Sequence, residues 1–120
     1  MLVLLAPLTE ATRGLFDAER LGWLPAGAWL VNVARGPLIV DDALLAALDT
    51  GQLAGATLDV FAEEPLPPDH PFWRHPKVRI TPHVSAMTLV EVSAPQVARK
   101  ILALERGEAV GGLVDRRRGY

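Results

Sequence analysis

Four short apolar runs constrain this chain more than any other feature: LVLLAPL from Leu2, WLVNV from Trp29, AGATLDVF from Ala54 and VRIT from Val78. A strand with one wet face alternates apolar and polar residues. An unbroken apolar run is buried on both faces, as in parallel sheets covered by helices. The segments between the runs fit that requirement. Asp17 can cap a short helix through Leu24, ended by Pro25-Ala26-Gly27. Asp41 or Asp42 can accept the orphan N–H groups of a helix DALLAALDT, which carries Leu44, Leu45 and Leu48 on one face and stops at Gly51. A last apolar periodicity runs from Thr88 to Arg106 (Leu89, Val92, Val97, Ile101, Leu104), and Pro95 implies that this helix kinks or starts near Ser93. Strands alternating with helices over short connections predict βαβ units and a parallel α/β sheet.

Between the third and fourth runs, AEEPLPPDHPFWRHPK holds five prolines in sixteen residues and reads as an ordered, irregular loop. Phe72 and Trp73 read as anchors of that loop or as domain contacts. His70 and His75 are five apart on it, a spacing that fits no helix face, so no metal site is expected.

Half of the 120 residues are hydrophobic and the net charge is −2, a balance that does not favour nucleic acid or an anionic membrane as partner. Arg116, Arg117 and Arg118 form the one basic run and read as a solvated tail. The chain has no cysteine, which excludes disulfides, thiol catalysis and zinc–thiolate sites. The apolar run after Met1 is too short for a membrane span or a signal peptide, and it has no basic flank. A soluble, cytoplasmic protein is expected.

In parallel α/β sheets ligands gather beyond the carboxyl ends of the strands. Polar residues sit just past each predicted strand here: Leu8-Thr9 after the first, Arg35 after the second, Asp59, Glu63 and Glu64 after the third, and His83 after the fourth. Arginine can grip a carboxylate with two charge-assisted hydrogen bonds. Histidine can give or take a proton near neutrality, and a nearby carboxylate favours its charged form. Such a set has no nucleophile and no phosphate cradle. It suits protonation of a carbonyl whose carbon receives a hydride from elsewhere. Taken singly, each residue also has a plainer reading: a surface arginine, a turn histidine, a capping aspartate, a solvated glutamate.

Three segments, VNVARGPLIVDDALLAAL, GATLDVFAEEPLP and ITPHVSA, in this order, resemble the C-terminal half of the nucleotide domain of D-2-hydroxyacid dehydrogenases. APLTEATRGLF is similar to the segment just upstream, and the tail GEAVGGLVDRRRGY resembles the glyoxylate/hydroxypyruvate reductase branch. The resemblance implies an α/β fold that is the second half of a doubly wound, Rossmann-like parallel sheet, truncated. It implies that residues 1–106 are the C-terminal part of an NAD(P)-binding domain and that 107–120 lead back to a substrate domain. Arg35 would bind the substrate carboxylate and polarise the 2-keto group. His83 would donate the proton in reduction, and Glu64 would pair with it and favour its charged form. Asp59 would lie near the nicotinamide end of NAD or NADP, Pro7 and Thr12 along the adenosine side, and Val33 and Ala34 beneath the nicotinamide, with Arg35 and His83 also touching the cofactor. Glu63 would face solvent.

The sequence contains no GxGxxG turn, the element that receives a dinucleotide pyrophosphate. Two readings follow. One is part of an oxidoreductase that moves hydride between NAD(P)H and a small 2-keto or 2-hydroxy acid. The other is an inactive module that dimerises or binds nucleotide as a corepressor-like scaffold. In either case the first strand would be a bare apolar edge, so a homodimer is expected, and the helix after Thr88 would be loosely held.

Overall fold

The apolar runs form four strands, β1 (Leu2–Leu4), β2 (Ala28–Asn32), β3 (Leu53–Leu58) and β4 (Val78–Ile80), each shorter than its run. In this computed structural model, which describes residues 1–118, they pair in the order β1-β2-β3-β4 and every pair is parallel. Leu4 pairs with Asn32, Asn32 with Leu58, and Leu58 with Ile80, so the four strands end along one line. The residues that follow therefore emerge on a common rim.

One face of the sheet makes the core. Leu30, Asn32, Ala56 and Leu58 point into it and are buried, together with Leu21 of α1 (Ala18–Gly22) and Leu44 and Leu48 of α2 (Asp41–Asp49). Leu45 is only partly buried beside them. Leu38 and Ile39, around a single 3₁₀ turn at Gly36–Leu38, close the same core, and Phe16 bridges to Ile39 beside them.

Asp17 caps α1 as expected, accepting the Arg20 N–H at 2.9 Å, and the helix ends at Gly22 rather than at Leu24. The start of α2 differs from expectation. Its cap is Val40, with no side-chain hydrogen bond. Asp41 instead faces His70, with 3.6 Å between carboxylate and Nε2. Burial pushes the Asp41 carboxyl up, and His70 opposes that only in part.

The proline-rich loop contains a second 3₁₀ turn, Pro71–Arg74, and is tied down to α2 and the core. Phe72 is buried in the core, as an anchor. His70 Nδ1 accepts the Phe72 N–H at 3.3 Å. His75 Nδ1 accepts the Lys77 N–H at 3.2 Å while its Nε2 meets Asp49 at 3.2 Å. The two histidines thus each join the loop to a carboxylate of α2.

Residues Met1–Ser85 form one compact unit and the chain from Ala86 onward a second. The second unit contains α3 (Val90–Glu105). This helix starts upstream of Ser93, so Pro95 lies inside it and withholds one N–H from the helical ladder. Leu89, Val92, Val97, Ile101 and Leu104 are all exposed. No helix among the described residues is long and apolar enough to cross a membrane.

Candidate functional site

The rim past β2, β3 and β4 holds the candidate residues. At the end of β2 the buried Asn32 folds its side chain over the next turn. Its Nδ2 donates to the Arg35 carbonyl at 2.9 Å, and its Oδ1 accepts the Ala34 N–H at 3.1 Å. This clamp fixes the backbone of Val33, Ala34 and Arg35. The Arg35 side chain is exposed, and its Nη1 touches the Ala34 carbonyl at 2.6 Å. Gly36 follows because no side chain fits there. A Cβ would lie 1.9 Å from the carbonyl carbon of Phe61. The chain leaving β3 therefore passes directly against the Arg35 turn.

That passing segment delivers Glu64. One carboxylate oxygen accepts the Phe61 N–H at 2.9 Å, and the other contacts His83 Nδ1 at 2.7 Å. The His83 hydrogen bond, the Phe61 N–H and the nearby Arg35 charge hold the Glu64 carboxyl below its ordinary range, more than offsetting the partial burial that raises it. With Nδ1 engaged, Nε2 is the His83 nitrogen left to meet a substrate.

His83 sits in a shaped turn. Its φ is +54°, the left-handed region that costs a non-glycine residue energy, and such residues concentrate at functional sites. Its N–H donates to the Thr81 carbonyl at 3.1 Å. Asp59, directly after β3, organises the whole turn. One carboxylate oxygen accepts the Thr81 hydroxyl and, at 2.9 Å, the Val84 N–H, and the other accepts the Ser85 N–H at 2.8 Å. Burial works to raise the Asp59 carboxyl, but these donors together bring it down to about 2.

Arg35, Glu64 and His83 thus follow three neighbouring strands at one rim; Glu64 contacts His83, and the Arg35 charge is near enough to act on Glu64. Pro7 and Thr12 lie past β1. The Thr12 hydroxyl is occupied there, donating to the Pro7 carbonyl at 2.8 Å and accepting the Thr9 N–H at 2.7 Å. Val33 and Ala34 are half-buried, and Glu63 is exposed as expected. The Asp59 oxygens are spent on the His83 turn.

Beside His83 and Glu64 a cleft of 690 Å³ opens, with Phe61, Leu66, Trp73 and Ile80 among its lining. Sequence reasoning gave Trp73 an anchoring or domain-contact role and did not single out Asn32 or Gly36.

The profile of the D-isomer specific 2-hydroxyacid dehydrogenase, NAD binding domain, matches residues 1–85, the same span as the first structural unit. The chain belongs to this family. It is 52% identical, over all 120 residues, to glyoxylate/hydroxypyruvate reductase A of Serratia proteamaculans and spans 38% of that protein's length. Among solved structures it resembles a D-isomer specific 2-hydroxyacid dehydrogenase of Xanthobacter autotrophicus Py2 in complex with NADPH and MES. That match has 50% identity and a TM-score of 0.95, covering 98% of this chain and 49% of the other. It also resembles the NADPH-dependent glyoxylate/hydroxypyruvate reductase of Sinorhizobium meliloti in complex with NADP and sulfate. There the identity is 41% and the TM-score 0.91, covering 98% of this chain and 39% of the other.

Proposed function

We propose that the chain is the substrate-protonating part of an NAD(P)H-dependent reductase of small 2-keto acids, of the glyoxylate or hydroxypyruvate type. The observation that carries this is the contact of His83 Nδ1 with Glu64 at 2.7 Å, beside a guanidinium close enough to act on the same carboxylate. Arg35 grips the substrate carboxylate and draws electron density from the adjacent carbonyl. Glu64 orients the imidazole and favours its charged form, so that Nε2 can donate a proton to the carbonyl oxygen. In the reverse direction Nε2 accepts the hydroxyl proton. The relatives named as glyoxylate/hydroxypyruvate reductases support the choice of substrate.

The C-terminal rim of the sheet fits the nicotinamide end of a dinucleotide: Val33 and Ala34 offer a half-buried wall beside Arg35 and His83. Pro7 and Thr12 would lie along its adenosine side, and Asp59 near its nicotinamide end. When bound, the cofactor supplies the hydride. In this reading residues 1–106 are the C-terminal part of the cofactor domain, and 107–120 lead to a substrate domain. Residues Gly119 and Tyr120 lie outside the described residues. A homodimer is part of the proposal, favoured by the position of β1 at the sheet edge with Val3 exposed.

Glyoxylate-dependent loss of NADPH absorbance tests the reading. A slow rate is expected, because the sequence has no GxGxxG turn. The rate should vanish in His83→Ala. Equal rates in the two proteins would overturn the assignment.

A further inference from the structure

The unit that begins at Ala86 lies outside the span matched by the family profile. Within it, α3 and the chain returning past Gly107 flank a cleft of 330 Å³. Gln96, Arg99, Lys100 and Ala103 supply its helical side, spaced i, i+3, i+4 and i+7 so that they share one side of α3. Val110 and Gly111 supply the other side.

The two cations in this cleft have no counter-charge. Among the described residues neither Arg99 nor Lys100 has an ion-pair partner. By helical phase Glu91 and Glu105 fall on the opposite side of α3. The acids further on are engaged elsewhere, Glu108 with Arg106 at 3.9 Å and Asp115 with Arg118 at 3.6 Å. Adjacent cations repel one another, and an anion between them removes that cost.

The returning chain is shaped to let the charge in. The Lys100 Nζ lies 3.1 Å from where a Cβ on Gly112 would stand, and Gly112 has a φ of +77°. A side chain at 112 would press on the ammonium, and the backbone there is one that glycine adopts freely. The N–H groups of Val110, Gly111 and Gly112 have no backbone partner among the described residues. A run of open backbone N–H groups beside an arginine and a lysine is a set of donors for an anion.

We propose that this cleft is a further ligand site, for the phosphate group of a small phosphate monoester. The Arg99 fork suits two phosphate oxygens and Lys100 adds a point charge. The Gln96 amide and the Gly111 N–H supply neutral donors. Ala103 leaves room above the helix. A cavity of about 150 Å³ already holds a benzene ring, so 330 Å³ admits a phosphate on a skeleton of a few carbons.

Glycerol 3-phosphate, inorganic phosphate and glycerol test it on the ¹⁵N-labelled 120-residue chain. Glycerol 3-phosphate should shift the Gly111 and Gly112 amide signals saturably, and glycerol should not. Inorganic phosphate should bind the same site no more tightly than the ester. Arg99→Gln and Lys100→Gln should each weaken the ester about tenfold, as loss of one charge-assisted contact would. Glutamine is a good helix former, so α3 persists in both variants. Arg116→Gln with Arg117→Gln removes as much charge from the tail and should change the affinity less than about twofold, since exposed charges outside a site are screened. The proposal is overturned by the absence of a saturable shift, by a response to glycerol, or by phosphate binding without the ester. An equal loss in the tail variant would also overturn it, because the attraction would then be diffuse and not a site.

Discussion

Replacing Gly36 by alanine should uncouple Glu64 from His83 with a single methyl group. The added Cβ would lie 1.9 Å from the Phe61 carbonyl carbon, 2.2 Å from its oxygen and 2.3 Å from the Ala62 nitrogen. All three are backbone atoms, so no side chain can rotate aside. Ordinary contact between carbons needs about 3.5 Å, so the segment must retreat by roughly 1.5 Å. The Glu64–His83 hydrogen bond, at 2.7 Å, joins this segment to the turn after β4 and does not survive a displacement of that size. Overpacking of this kind costs about 1–3 kcal/mol, or roughly 5–15 °C in Tm for a chain of this size. The decisive assay is the pH titration of the Glu64 carboxyl carbon by NMR. In the parent chain Glu64 ionises below the ordinary range, and in Gly36→Ala it should return upward toward that range. A variant that melts with the parent and leaves the Glu64 titration unmoved would refute the claim that Gly36 sets the position of this segment.

Other outcomes follow from the same geometry. Asp59→Asn puts amide hydrogens against donors that now point at a carboxylate, and unsatisfied donors should cost at least about 1–3 kcal/mol by denaturant unfolding. Because the folded-state pKa of Asp59 is depressed to about 2, its contribution is fully present above pH 4 and is lost as pH falls toward 2. Acid unfolding of the parent should show that loss, and Asp59→Asn should lack it. Asn32→Leu strands the Ala34 N–H and the Arg35 carbonyl. It should weaken binding of oxamate, a 2-keto acid mimic, about tenfold, as loss of roughly 1.4 kcal/mol of positioning would, while the Glu64 titration stays as in the parent. Leu44→Ala, at a fully buried α2 position, should cost about 2–5 kcal/mol by the same unfolding assay.

The strands were legible as unbroken apolar runs, and the rim because polar residues interrupt the chain just after each strand. Burial on both faces, expected from those runs, is not what the fold shows: one face makes the core, while on the other Val3 is exposed and Trp29, Val31 and Thr57 are half-buried. What escaped the sequence depended on partners far along the chain. Asn32 reads as one polar residue in WLVNV; its role needs the turn at Arg35 to fold back over it. A lone amide inside a buried strand was the available signal. Gly36 reads as part of a turn, and only the passage of Phe61 against it explains the absence of a side chain. Asp59 reads as a strand-end carboxylate, because the donors it gathers lie more than twenty residues on. At the start of α2 the local capping rule lost to a tertiary partner: Asp41 lies inside the helix, facing His70, and Val40 takes the cap. In α3, Pro95 forgoes one N–H bond, and the helix extends a turn upstream of where that residue would have begun it.

A crystal structure of the chain grown with oxalate decides whether Arg35 and His83 serve one substrate. Oxalate should sit at the rim, one carboxylate paired with the Arg35 guanidinium and an oxygen of the other about 2.7–3.0 Å from His83 Nε2. Oxalate bound elsewhere, or a guanidinium and an imidazole turned to opposite sides with no anion between them, would contradict it.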